Sequence, residues 1–206
     1  MATRGDVKAR IIAETNRDDL LDDLAGALTQ VINQAIEFYS TSRFWFNELR
    51  TTSSTIPGNE YISYPAGIRF LDGVYLMVGG VRYDMRPQTP EYIEGLYSTP
   101  IRGQPTDYTS YLTQLRLWPT PNVSYVVVWF GVADVLPALT DDGSSNYWTN
   151  EAQDLIVACA EKYLYRDYWK DPRWENAAAA EDEAYRALKG KTNRRLSVGR
   201  VHTSWR

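Results

Sequence analysis

The chain has 206 residues, 44% hydrophobic and 23% charged, with 22 Lys/Arg against 26 Asp/Glu, which excludes a wholly disordered chain and allows one substantial core or two small ones. No apolar run approaches the roughly eighteen residues of a membrane span, and Met1 to Asp6 lacks the apolar stretch of a secretory signal, so the sequence reads as a protein made in the cytosol. The single cysteine, Cys159, excludes an intrachain disulfide and, near Leu155, Ile156 and Tyr163, reads as a small buried thiol.

In chain order the pattern is helices, then strands, then helices. A short helix is predicted from about Gly5 to Ala13, capped by Thr3, with Val7, Ile11 and Ile12 on its apolar side. Residues 17–39 form a longer one, in which Leu20, Leu24, Ala27, Val31 and Ala35 recur at steps of three or four and Leu21, Leu28, Ile32 and Ile36 widen the stripe. Asn16 offers its N-cap, and Asp18, Asp19, Asp22 and Asp23 place negative charge at the positive helix end. From Ser40 the period shortens to two. Phe44 and Phe46 alternate with Trp45, and Thr51 to Thr55 lead through Pro57-Gly58-Asn59 to Tyr61, Ile62 and Tyr64, a strand, a turn and a strand. Val74, Leu76 and Val78 meet Val81, Tyr83 and Met85 across Gly79-Gly80, a tight hairpin. A second hairpin is expected between Leu115-Arg116-Leu117 and the apolar run Tyr125 to Phe130, turning at Pro119-Thr120-Pro121-Asn122. Between the two, Pro87 to Ser110 reads as a long loop holding a short helix at Glu91–Tyr97.

Helices return near Asn150, which with Gln153 suggests a capping box, and Leu155, Ile156, Cys159, Ala160, Tyr163 and Leu164 make a wide apolar face. Asp171-Pro172 ends that helix and starts another, which runs through Ala177 to Ala180 and stops at Gly190. The first and last helical faces are expected to pair, with Leu24, Leu28, Val31 and Ile32 against Leu155, Ile156, Cys159 and Tyr163, because neither stripe can stay exposed.

The charge is unevenly placed. Lys189 to Arg206 holds six Lys/Arg and no carboxylate, with Leu196, Val198, Val201 and Trp205 between the charges, whereas the rest has sixteen Lys/Arg against twenty-six Asp/Glu. An arm that mixes cations with apolar anchors is suited to docking.

The chemistry of catalysis is sparse in the sequence. There is neither a phosphate-cradling glycine loop nor a cysteine pair at zinc spacing, and the one histidine, His202, lies in the tail. Asp141-Asp142-Gly143 departs from a calcium loop at Asn146 and Ala152 and reads as a turn. Arg4-Gly5-Asp6 and Asn122-Val123-Ser124, an adhesion tripeptide and a glycosylation acceptor in form, have no meaning without secretion. The expectation is no enzyme, no catalytic residue, no cofactor and no metal. Seven Trp and fifteen Tyr are more than a core of this size requires. Trp118, Trp129 and Phe130 read as filling of the strand region, and Trp148, Trp169 and Trp174, near helix ends, as interface candidates.

The succession Asn16-Arg17-Asp18-Asp19-Leu20 before a long helix, Arg43-Phe44-Trp45-Phe46-Asn47-Glu48 opening a strand, and Tyr61-Ile62-Ser63-Tyr64-Pro65 with Ile68, Leu71, Asp72, Val74 and Tyr75 resembles the head-to-tail adaptor proteins of short-tailed bacteriophages. So do Leu115-Arg116-Leu117-Trp118-Pro119-Thr120-Pro121, the helix around Tyr163 and the basic arm. The resemblance covers nearly the whole chain and implies an α+β fold. An antiparallel helical bundle would come from residues 1–42 and 148–189, with an antiparallel β-sandwich or barrel, 43–147, inserted between them and an extended basic arm at 190–206.

The function it implies is structural. Such a protein forms a ring, of twelve copies in that family, under the portal in the neck of the virion, passes DNA without specific binding and meets a downstream nozzle or tube protein. The arm would dock on the portal through Arg194, Arg195, Leu196, Val198, Arg200, Val201, Trp205 and Arg206. Two alternatives stand beside it: a nucleic-acid-binding protein using the basic arm, and a carbohydrate-binding tail component using the aromatics.

Overall fold

A computed structural model describes residues 1–16, 25–97, 101–134 and 138–197. The protein is mixed α+β, in two units, one of Met1–Asn47 with Val135–Arg206 and the other of Glu48–Asp134.

In the first unit Thr3 caps α1 (Arg4–Thr15): its Oγ1 accepts from Asp6 N–H while the Asp6 carboxylate accepts from Thr3 N–H, so two orphan donors are satisfied at once. Asn16, expected to cap the next helix, stands before residues 17–24, which lie outside the described residues. It closes α1 at φ 50°, a left-handed conformation that a short polar side chain tolerates. The acidic stretch after it, with Leu20, Leu21 and Leu24, lies outside the described residues, and α2 is described over Ala25–Tyr39.

Asn146, not Asn150, caps α4 (Tyr147–Glu151), its Oδ1 accepting from Trp148 and Thr149 N–H; the Thr149 hydroxyl, three residues on, supplies the reciprocal acceptor that Gln153 was expected to provide. Helix α5 (Gln153–Tyr163) runs into one π-helical turn at Leu164–Trp169, which ends on left-handed Lys170. Helix α6 (Trp174–Ser197) then continues through Gly190. A helical glycine costs about 1 kcal/mol relative to alanine, and burial of Leu188 and Thr192, one turn apart on the same face, outweighs it.

Leu28, Val31 and Ile32 of α2 share one core with Leu155, Ile156, Cys159 and Tyr163 of α5, and α1 adds Val7 and Ile11. The two distant helical segments thus pair as their stripes require.

The second unit holds two four-stranded sheets. The first has the order β1 (Glu48–Ser54), β10 (Val126–Ala133), β3 (Ile68–Val78), β4 (Val81–Asp84), antiparallel throughout. The second has β2 (Tyr61–Ser63), β8 (Gln114–Trp118), β7 (Asp107–Ser110) and β5 (Arg86–Pro87), the last pair parallel. Two-residue strands β6 (Arg102–Gly103) and β9 (Thr120–Pro121) pair in parallel, and α3 (Pro90–Leu96) precedes β6. Ile62, Leu115 and Leu117 from one sheet and Val74, Leu76, Val127 and Trp129 from the other form a common core.

The Gly79-Gly80 hairpin is present, with both glycines at positive φ, 57° and 81°, as a two-residue turn between β3 and β4 demands. Other pairings differ from expectation. β8 and β10 do not form a hairpin: Pro119 and Pro121 have no N–H for a ladder, and β10, with Val127 and Trp129 buried on one face and Val128 and Val132 on the other, is suited to the centre of the opposite sheet. The strands either side of Pro57-Gly58-Asn59 also belong to different sheets. The stretch expected as a loop contains strand β7, whose Tyr108 enters the core.

Candidate functional site

The basic C-terminal segment begins on α6, and its root rests on the turn after α2. Asn47 builds that turn: its Oδ1 accepts from Phe44 N–H at 2.7 Å, its side-chain amide donates to the Ser42 carbonyl, and its own N–H donates to Phe44 O. Phe44 is thereby fixed as a fully buried core residue, stacked on Phe46 at 5.5 Å and edge-on to Trp148. The trio that alternates like a strand is therefore a turn, and Trp148, expected at an interface, is a core residue only 3% exposed.

Cations of α6 close over these rings. Lys189 donates to the Arg43 carbonyl at 2.8 Å, with its ammonium 4.7 Å from the Phe44 ring centre and 5.6 Å from that of Tyr185. Arg195 lies 4.6 Å from the half-buried Trp45 ring, so Lys189 and Arg195 both rest on aromatic faces. Arg194, next to it, is exposed and donates back to the Gly190 carbonyl at 3.3 Å.

Two turns upstream, Glu181 ties α6 to its neighbours. Its Oε1 accepts from the Tyr39 hydroxyl of α2 and the Lys162 ammonium of α5, both at 2.7 Å. Burial opposes its charge, but the hydrogen bonds from Lys162, Tyr39 and Cys159 prevail and hold the carboxyl below its usual range. Burial, with the Glu181 charge, pushes the Cys159 thiol up, which makes it an inert core group. The root of the arm is thus tied by side-chain hydrogen bonds to α2, to α5 and to the turn after α2.

Of the residues expected to dock, Arg194 and Arg195 stand on the last turn of α6, both exposed, with Arg195 also over the Trp45 ring. The side chain of Leu196, and Val198, Arg200, Val201, Trp205 and Arg206 entirely, lie outside the described residues, as does His202. Lys189 and the 43–47 turn were missed as parts of this surface. Asn47 three residues after Phe44 is the local signal for the turn; nothing local announces Lys189 or Arg195 as its cover.

Elsewhere, Asp141-Asp142-Gly143 is a turn, with Asp142 accepting ion pairs from Arg4 at 2.9 Å and Lys8 at 2.8 Å. Among the described residues no group of three metal-ligating side chains comes together, and no helix is long and apolar enough to cross a membrane. Trp129 is fully buried and Trp118 and Phe130 half-buried, while Trp169 packs partly on the helical core and Trp174 is 38% exposed.

The surface thus presents exposed cations on a helix end, backed by aromatic rings. The model of the SU10 adaptor protein family matches residues 2–204, both units and the basic C-terminal stretch together, and the chain belongs to that family, a family of phage adaptor structural proteins. A search among curated proteins finds no match.

Proposed function

We propose that this adaptor-family chain is a head-to-tail connector of the virion neck, copies of which form a ring beneath the portal, hold the downstream tail protein and leave a channel for DNA. The carrying observation is that family membership extends over both units and into the basic C-terminal stretch. In this reading the helical bundle expected from 1–42 and 148–189 takes in the 43–47 turn and α6 as far as Ser197, the inserted β-sandwich is Glu48–Asp134, and the stretch that meets the portal runs on from the end of α6. The twelve-fold copy number comes from the phage adaptors that the sequence resembles.

The charge distribution supports it. An acidic body repels the DNA phosphates that must slide past, and a basic arm with apolar anchors suits an acidic, pocketed partner. The helical root lowers the entropy lost on docking, because Arg194 and Arg195 already stand on α6.

The test is co-sedimentation with portal particles. Deleting residues 198–206 should abolish it and leave thermal unfolding unchanged, and Trp205→Ala alone should weaken it by about 2 kcal/mol if the indole is an anchor. Unchanged co-sedimentation after the deletion would remove the docking role. Turnover of a polysaccharide, peptidoglycan or nucleotide substrate, lost on one carboxylate substitution, would replace the connector with an enzyme.

A further inference from the structure

The first β-sheet ends in two open edges, and the two edges fit each other. Among the described residues β1 pairs only with β10 and β4 only with β3. β1 is a long edge of seven residues, Glu48-Leu49-Arg50-Thr51-Thr52-Ser53-Ser54, without proline, lysine or a bulge; β4 is short, all four of its residues are exposed, and its Arg82 and Asp84 are ion-paired at 2.6 Å.

The phase of the ladders says which residues address those edges. Just past β1, Thr55 N–H donates to Tyr125 O, so odd-numbered residues turn to β10 and the even ones, Arg50 and Thr52 among them, turn their backbone groups to the open side. Across the sheet, the two-residue turn makes Val78 and Val81 the bonded closing pair, which leaves Arg82 and Asp84 facing the opposite open side. The even side chains of both strands lie on one face, away from the shared core, since Val128 pairs with both Thr52 and Tyr75, and Tyr75 with Asp84. β4 also runs antiparallel to β1, so a second copy set beside the first continues the sheet in its own sense.

Charge then selects one register. With Arg50 opposite Asp84, Thr52 faces Arg82 and Thr51 faces Tyr83, and no like charges meet. A slip of two residues one way sets Arg50 against Arg82 and Glu48 against Asp84, which is repulsive; a slip the other way loses the Arg50–Asp84 opposition.

We propose that copies of this chain associate head to tail by strand addition, β4 of one pairing antiparallel with β1 of the next in the Arg50–Asp84 register. This contact is heterologous, so repetition generates a ring or an open filament rather than a closed dimer. The inference rests on the ring proposed above and names its contact.

The experiment is register-specific cross-linking of the full-length protein in concentrated solution and on portal particles. Thr51→Cys and Tyr83→Cys would be a non-hydrogen-bonded facing pair, close enough for a disulfide, and the native Cys159 is buried. Oxidising a mixture of the two single variants should give about tenfold more dimer than either alone or than Thr51→Cys mixed with Val81→Cys, and the double variant should give a ladder. Asp84→Arg should suppress association of copies, and Arg50→Asp in the same chain should restore it. Absence of the selective cross-link, or equal yield from the shifted pair, overturns the strand-addition contact, and a monomer at all concentrations and on portal particles does so too. Portal co-sedimentation is read in parallel. If it persists without the cross-link, the connector stands and this contact falls; if the cross-link forms but portal binding is absent, the connector falls and the contact stands.

Discussion

Glu181 in the helical unit and Arg116 in the β unit are both buried charges, but they are held in different ways. Glu181 accepts from side chains on two other helices, Tyr39 of α2 and Lys162 of α5, so one carboxylate joins three elements. Arg116, on β8, meets Glu60 at 3.1 Å and Glu94, and lies over the Tyr97 ring at 3.9 Å, yet its Nε has no partner among the described residues. Its strand is already fixed by backbone ladders to β2 and β7, so its side chain fastens only α3 and the entry to β2. The difference teaches where a buried charge is structural: where backbone bonds cannot cross between helices, a side-chain junction must, and in a sheet it need not.

The comparison breaks first at the helical core. Leu28→Asp should unfold the helical unit, since it puts an unpaired charge against Leu155, Ile156 and Cys159, at a cost of several kcal/mol that far-UV circular dichroism would register. A milder cut is Glu181→Ala, which strands Lys162 and should cost about 3 kcal/mol, against about 1 to 2 kcal/mol for Arg116→Ala, because the half-exposed Glu94 can rehydrate. Denaturant midpoints of the two variants decide it. Equal losses would mean that Arg116 is as much a junction as Glu181.

The helical pairing was legible in the sequence because its signal is local and redundant: Leu28, Val31, Ile32 and Ala35 on one segment and Leu155, Ile156, Cys159 and Tyr163 on the other each mark a face at helical spacing. The Gly79-Gly80 turn was legible because both positions require positive φ. The partner of β8 was not, since alternation in Leu115-Arg116-Leu117 gives a strand and a face but never a neighbour, and the run from Tyr125 is adjacent in sequence yet lies in the other sheet. At the docking surface the charge excess of the arm could be read, whereas its support could not: Arg195 on Trp45 and Lys189 on Phe44 join residues some 150 positions apart. Gly190 misled for a related reason, because the burial that carries the helix across it comes from tertiary contacts of Leu188 and Thr192.

That misreading sets the next test. Deleting the chain from Gly190 removes Thr192 and the Arg195–Trp45 contact and should lower the melting temperature by several degrees, about 1 to 2 kcal/mol of stability, whereas deletion from residue 198 should not. Equal melting temperatures would show that the last two turns of α6 contribute nothing to the fold and would return the arm's start to Gly190.

The smallest effect concerns a second carboxylate of the helical unit, and its sign opposes that of Glu181. Burial, reinforced by Glu14 and only partly offset by Arg10, pushes Glu161 on α5 up to about 7, and its Oε1 has no hydrogen-bond partner among the described residues. The folded state therefore takes up a proton on Glu161 between the ordinary value of 4.5 and about 7, and stability falls as pH rises through that window. Glu181 does the reverse: its contribution is present above its unfolded-state value and is lost as pH falls through its lowered folded value. Glu161→Gln removes one slope and leaves the other. The variant should match the parent near pH 4 and exceed it at pH 8 by about 1 to 2 kcal/mol, a figure reduced from the full shift because the side chain is partly exposed. Urea midpoints at the two pH values check it, and parallel pH profiles for variant and parent would show that Glu161 is charged in the folded protein as it is in water.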